Sequence, residues 1–290
     1  MSISVVIPAY NGARFLPETL RSVLAQTLRP DEVLVVDDGS TDGTAAVAKA
    51  FGPLVRVFRR TNARQGASRN FGAEQASSEW IAFVDHDDLW APEKLERQMQ
   101  ALAANPTADL CYTARVHFGE DRGPNKPQAT VPVPPAGHVR DALFRNTTFL
   151  PSSVVIRRST FLAAGGFDTS FRIVEDWDLW LRLQSAGIVF AACQEPLLHY
   201  RIHDQSASRN IRILLDETDQ VYRRHIMPQI SWPQRWLRYN RFRSDHESSG
   251  AMSLRASKDS SCSVMMAKSI LRDPFHNPHR YKVMAHMLLK

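Results

Sequence analysis

Residues 32–42 read EVLVVDDGSTD, a complete structural unit in one short stretch. Glu32 to Val36 is an apolar, β-branched run whose length and composition predict a buried strand. Asp37-Asp38-Gly39-Ser40 turns the chain, and Ser40 or Thr41 can cap a helix over 42–51. The unit repeats on both sides. Upstream, Ile3-Ser-Val-Val-Ile7 is a strand stopped by Pro8, and Phe15, Leu16, Leu20, Val23 and Leu24 take helical spacing over 15–26. Downstream come a strand over 55–58, a helix over 66–77 and a strand from Trp80 to Val84, which runs into Asp85-His86-Asp87-Asp88. This alternation predicts a doubly wound parallel sheet with right-handed crossovers.

Beyond a helix over 92–104 the order changes. Strands are expected at 109–118, 152–157, 188–192 and 197–201, with helices at 159–164 and 176–186. Residues 119–138, rich in Pro and Gly, read as a loop and a candidate lid. From about residue 205 the pattern is helical. The expected organisation is therefore α/β. A mostly parallel, Rossmann-like sheet flanked by helices fills 1–204, in halves of about 1–104 and 105–204. A basic helical region fills 205–290.

Hydrophobic residues make up 43% and charged residues 23%, which excludes wholesale disorder, collagen and coiled coil. No uncharged apolar stretch approaches the ~18–20 residues that cross a bilayer. No signal peptide is read at the N-terminus. Cys111, Cys193 and Cys262 are scattered, which argues against a disulfide framework or zinc site and for a reducing compartment. Residues 1–204 carry 21 Lys+Arg against 23 Asp+Glu, while 205–290 carry 15 against 7. The basic block suits an anionic membrane surface; packing on the catalytic domain or on a second subunit is the alternative, so a homo-oligomer stays open.

Acids gather where strands end: Asp37 and Asp38, then Asp85, Asp87 and Asp88, with Glu175 and Asp176 at a helix start. Ligands of open α/β sheets bind at that edge. Clustered carboxylates repel unless a proton or a cation compensates them, and a hard divalent ion is the simplest partner. Singly, each cluster also has a structural reading, as a turn, a cap or first-turn acids.

Taken in order, SVVIPAYN (4–11), VVDDGSTD (35–42), GASRN (66–70), FVDHDD (83–88), GGFD (165–168), EDWDLW (175–180) and HYRIH (199–203) resemble a family 2 glycosyltransferase of the GT-A fold. The resemblance covers roughly residues 2–208. It implies that Pro8, Ala9, Tyr10 and Asp38 hold the base and ribose of a nucleotide sugar, with Arg69 near the diphosphate. Asp85-His86-Asp87 matches the family's DxD signature. Asp87 would bind Mg²⁺ or Mn²⁺, and Asp85 the ribose or the metal's water. His86 is grouped with the nucleotide-sugar residues, and His203 would reach the metal from the far side. An imidazole ligand tilts the choice toward Mn²⁺. Asp176 is the implied base, with Glu175 contacting the acceptor or orienting the loop. One base opposite the leaving group implies single displacement with inversion. Gly165 and Gly166 either let the backbone approach the donor sugar or end a helix. For Trp90, Trp177 and Trp180, core packing is weighed above sugar stacking.

The expected activity is transfer of one sugar from a UDP- or dTDP-linked donor to a hydroxyl of a glycan or lipid-linked acceptor. The expected setting is cell-surface assembly, in the cytoplasm or at the inner face of the cell membrane. Processive relatives carry Gln-x-x-Arg-Trp and membrane helices; here Trp232 precedes Arg235-Trp236 where Gln is required. Rival readings are a sugar nucleotidyltransferase, which would show a Gly- and Lys-bearing phosphate loop absent from 8–16, and a non-catalytic nucleotide-sugar-binding relative. A nucleic-acid binder is set aside, for want of a motif and of aromatics among the basic residues.

Overall fold

The computed structural model describes residues 1–119, 129–203, 210–256, 259–275, 277 and 279–288. The chain divides into two compact units, Met1–Ser206 and Ala207–Lys290.

The first unit is built on β1 (Ile3–Ala9), β2 (Glu32–Asp37), β3 (Val55–Arg59), β4 (Trp80–Phe83), β5 (Leu89–Trp90), β6 (Ala108–Phe118), β7 (Ala129–Val131), β8 (Val154–Arg157) and β9 (Val189–Arg201). Their order is β3-β2-β1-β4-β8-β6-β9-β5, with β7 on β6. The β3-β2-β1-β4 half is parallel. In the other half β8 runs antiparallel to β4 and β6, while β6 and β9 are parallel. The helices are α1 (Leu16–Leu24), α2 (Thr44–Lys49), α3 (Arg64–Gln75), α4 (Lys94–Ala104), α5 (Val139–Leu143), α6 (Arg158–Ala163) and α7 (Glu175–Ser185).

Strand alternation sorts β1. Ile3, Val5, Ile7 and Ala9 join Leu16, Leu20 and Val23 of α1 in one buried cluster. Val6 faces the other way, onto α3. There Gly72 is required, because a Cβ would stand 2.4 Å from Val6 Cγ1. β1 does not stop at Pro8 but continues to Ala9, in register with Asp37 of β2. Proline is tolerated because β4 has already left the ladder at Phe83, so no neighbour asks for its missing N–H. The crevice between β1 and β4 opens at this point, the topological switch where such sheets bind ligands.

Other differences have local causes. The two strands expected over 188–201 are one strand, β9, with irregular register between Thr113/Cys193 and Arg115/Leu198. Of the expected loop at 119–138, residues 120–128 lie outside the described residues, and Ala129–Val131 pairs with β6. Neither Ser40 nor Thr41 caps α2; Asp42 Oδ1 instead accepts the Thr44 N–H (3.0 Å), while Ser40 and Thr41 serve Asn11.

The second unit holds α8 (Ile211–Val221), α9 (Trp232–Ala256), α10 (Cys262–Arg272) and α11 (His279–Leu288). Asn210 caps α8 by accepting the Ile213 N–H. Ser244 of α9 donates to the Ser269 carbonyl of α10 (2.9 Å), and the buried Arg280 of α11 donates to the same carbonyl (2.9 Å). In α10 Met266 is buried while Val264 and Leu271 are exposed. Among the described residues no helix is long and apolar enough to cross a membrane.

Candidate active site

The carboxyl ends of β1 and β2 are laced together. Asp38 N–H donates to the Ala9 carbonyl (2.8 Å), continuing the ladder past β2. Asn11, at φ +48°, donates its N–H to Ser40 Oγ (2.9 Å) and accepts the Thr41 N–H on Oδ1 (2.9 Å). Asp38 is buried and accepts the Ala63 N–H on Oδ1 (3.0 Å). Pro8 and Ala9 are buried, whereas the Tyr10 ring is 48% exposed at the crevice mouth and takes no part in the core. His86 lies against Gly12, where a Cβ would fall 2.4 Å from its Cδ2, so this loop and the DxD turn touch ring to backbone.

The DxD turn leaves β4 held on several sides. Asp85 N–H donates to Ser152 Oγ (3.0 Å), and Thr19 Oγ1 lies 2.8 Å from the carbonyls of His86 and Asp88. Arg201, at the end of β9, acts as a strap. Its backbone N–H donates to Asp88 Oδ1 (3.0 Å), Nε to the Asp87 carbonyl (2.8 Å) and Nη2 to Glu18 Oε2 (2.6 Å). Its guanidinium also lies over Phe15 and Phe118. Two residues later, His203 Nε2 stands 2.7 Å from Asp87 Oδ2. Burial opposes the charge on Asp87, but His203 and His86 outweigh it and hold its carboxyl below the ordinary value. Burial, with Asp87 and Asp85 alongside, pushes the Asp88 carboxyl well above the usual range.

Glu175 and Asp176 open α7, both buried, where the helix N-terminus favours negative charge. Arg69, fully buried on α3, joins them to the DxD turn. Nη1 donates to Glu175 Oε1 (2.8 Å) and Nη2 to Asp85 Oδ1 (2.5 Å). Burial disfavours its charge, but Asp85 and Glu175 more than compensate and raise its pKa. Burial raises Glu175, with Arg69 offsetting part of the effect, and Glu175 Oε2 has no hydrogen-bond partner among the described residues. Asp176 accepts the Trp177 N–H on Oδ1 (2.7 Å) and the Thr147 hydroxyl on Oδ2 (3.3 Å). Burial first, and the Glu175 carboxylate second, push the Asp176 carboxyl up to about 7.

The structure thus brings Asp87 and His203 together, and Asp85, Arg69 and Glu175 together, with Asp176 beside Glu175. Arg69 does not stand open toward a diphosphate, since both its terminal nitrogens are engaged. The described residues contain no group of three or more donors poised for a metal. Asp87 and His203 nevertheless offer an oxygen and a nitrogen facing one another. An oxygen and an imidazole nitrogen are donors that a divalent ion such as Mn²⁺ would accept. Binding requires His203 Nε2 to be unprotonated.

Two expectations narrow. Trp90, Trp177 and Trp180 are buried, and their indole N–H groups donate to the carbonyls of Ser152, Leu143 and Phe149; they are core residues, not sugar platforms. Gly165 and Gly166, at φ +77° and +65°, end α6, with Gly166 N–H donating back to Phe161. A Cβ on Gly166 would meet Asn70 Oδ1 at 2.4 Å, and Asn70 clamps the Phe167 backbone through two 2.8 Å hydrogen bonds. Sequence reasoning gave no role to Arg201, Thr147 or Asn70. For Arg201 a signal existed: alternation puts positions 199, 201 and 203 on one side of a strand.

The model of Glycosyl transferase family 2 matches residues 4–164. TuaG of Bacillus subtilis, a glycosyltransferase named for teichuronic acid biosynthesis, is 29% identical over 226 residues, 76% of this chain and 87% of TuaG. Glycosyltransferase relatives from Rickettsia carry the matching segment as 70% of one protein and as 35% of a longer one. Among solved structures, S. aureus TarS 1-349 in complex with UDP-GlcNAc superposes with a TM-score of 0.60 at 16% identity, over 94% of this chain and 89% of that one. Mannosyltransferase PcManGT from Pyrobaculum calidifontis, in complex with GDP-Man and Mn²⁺, gives 0.63 at 18% identity, over 99% and 84%. These likenesses carry the fold, GT-A, and the family match covers more than half the sequence; the chain belongs to glycosyl transferase family 2.

Proposed function

We propose that this enzyme is an inverting, metal-dependent glycosyltransferase that moves a single sugar from a UDP- or dTDP-linked donor to a hydroxyl acceptor. The observation that carries the reading is Asp176: a buried carboxylate at a helix start, pushed up to about 7, one residue from the Glu175–Arg69–Asp85 chain. A general base is most effective when its pKa lies near working pH. Asp176 takes the acceptor proton as that oxygen attacks the anomeric carbon, and Glu175, held by Arg69, orients the helix start that carries it. Asp38 and the exposed Tyr10 ring receive the base and ribose, with Pro8 and Ala9 forming the crevice wall. His86 closes the donor side against Gly12, and Asp85, held by Arg69, faces the ribose.

Asp87 and His203 would hold Mn²⁺ or Mg²⁺, which when bound neutralises the charge on the departing diphosphate. The family resemblance supports a role in cell-surface glycan assembly. A lipid-linked acceptor places the enzyme at the inner face of the cell membrane, with the basic C-terminal unit as the contact. The test is release of UDP, dTDP or GDP over a panel of nucleotide sugars, followed by NMR of the product anomer. Release from UDP or dTDP donors with an inverted anomer is expected; a retained anomer rejects single displacement.

A further inference from the structure

Arg115, on β6, is a half-buried cation that the fold holds without an anion. Burial disfavours its charge, and Tyr200, Asp88 and Asp176 offset that only in part. It forms an ion pair with no described residue, whereas Arg69, Arg182 and Arg201 each meet a carboxylate directly. Its hydrogen bond runs from Nε to His117 Nε2 (3.1 Å). Strand alternation puts positions 115 and 117 on one face, and the His117 ring lies 5.4 Å from that of Tyr200 on the neighbouring β9. Nη1 and Nη2 have no hydrogen-bond partner among the described residues.

The guanidinium is thus fixed at its inner nitrogen and open at its fork. Two N–H groups held in one rigid plane match a carboxylate or a phosphate, which can accept both at once. Place matters as much as chemistry. Asp88 ends the DxD turn, Asp176 stands at the start of α7, and Arg115 is near enough to both for their charges to stabilise its own. In the mechanism proposed above the acceptor hydroxyl meets Asp176, while the diphosphate lies toward Asp87 and His203. An acceptor that brought only neutral hydroxyls would leave this cation unpaired.

We propose that Arg115 receives an anionic group of the acceptor, a carboxylate or phosphate near the attacking hydroxyl, so that the enzyme selects charged glycan acceptors over neutral ones. The inference rests on the glycosyl-transfer reading and on Asp176 as base, and it adds the acceptor's chemical class. An anion brought beside Asp176 would repel that carboxylate unless a cation came with it, and the Arg115 fork is that cation. His117 is a positioning residue: its Nε2 holds the guanidinium by Nε and leaves the two outer nitrogens to the ligand.

The test uses the full chain with UDP and Mg²⁺, titrated by NMR with methyl glycosides of glucose, galactose and mannose, each as the neutral sugar, the 6-phosphate and the 6-uronate. A charged glycoside should bind about tenfold tighter than its neutral counterpart, the worth of a charge-assisted forked pair. The phosphate and uronate arms tell which anion the fork takes. Arg115→Gln should erase the preference, and Arg115→Lys, which keeps the charge but loses the fork, should restore only part of it. Because the cation is unpaired in the ligand-free protein, Arg115→Gln should not lower Tm. Charged glycosides that bind no better than neutral ones overturn the proposal, as does a preference that survives in Arg115→Gln. A lowered Tm in that variant gives the side chain a structural role, and loss of UDP binding gives it to the donor diphosphate; either also overturns it. A charge preference without any nucleotide-sugar hydrolysis would instead count against glycosyl transfer alone.

Discussion

Replacing Asp176 by Asn should make the protein more stable and far less active. The side chain keeps its shape, and its Oδ1 can still accept the Trp177 N–H. What disappears is a charge that the fold holds at a cost. Moving this carboxyl from its ordinary 3.8 up to about 7 corresponds to about 4 kcal/mol. The sign follows from linkage. An acid with a raised folded-state pKa costs nothing below about pH 4, where both folded and unfolded states are protonated. The penalty grows as pH rises toward 7 and is complete above it. Asn escapes it. The variant should therefore match wild type near pH 4 and gain up to about 4 kcal/mol by pH 8, roughly 8–16 °C in Tm for a unit of this size. Transfer should fall by ~10²–10⁴-fold, the range for loss of a general base. Urea titrations of ligand-free protein across this pH range, beside transfer assays, check both halves. A stability difference that does not change with pH would refute the buried-charge argument. Near-native transfer would move the base elsewhere.

Two further outcomes follow from the same geometry. Chelation by EDTA should abolish donor hydrolysis and transfer, with Mn²⁺ or Mg²⁺ restoring both, and His203→Ala should weaken Mn²⁺ binding to the donor complex by calorimetry; full activity in excess chelator would exclude the metal role. Arg69→Met should cost about 3–5 kcal/mol in chemical denaturation, because it strands Glu175 and Asp85 without their shared cation; Glu175→Gln in the same chain should recover part of that loss.

The parallel half of the sheet was legible in the sequence because buried parallel strands are unbroken apolar runs, and EVLVV and WIAFV are such runs. The other half was less so. Leu89–Trp90 is too short to announce a strand, and β9 reads as two because Gln194-Glu195-Pro196 interrupts its apolar pattern where the register shifts. The acids of the site were visible as clusters at strand ends. The burial of Arg69 was not: an isolated arginine in a helix reads as a surface residue, and only the meeting of α3, α7 and the DxD turn brings it two carboxylates. The tryptophans carried no signal that separates a sugar platform from a core, since the same ring serves both.

Asp87 and His203 lie 116 residues apart along the chain, and the strap that sets one against the other is Arg201, the last residue of β9. This has a consequence for synthesis. The nascent chain has made β1, β2, β3 and β4 and the whole DxD turn long before His203 leaves the ribosome. Until β9 docks beside β6 and β5, the turn lacks both its strap and its nitrogen donor. Such long-range pairing is the slow, late kind of folding event, so Asp87 and His203 come together only when the last strand of the sheet is in place.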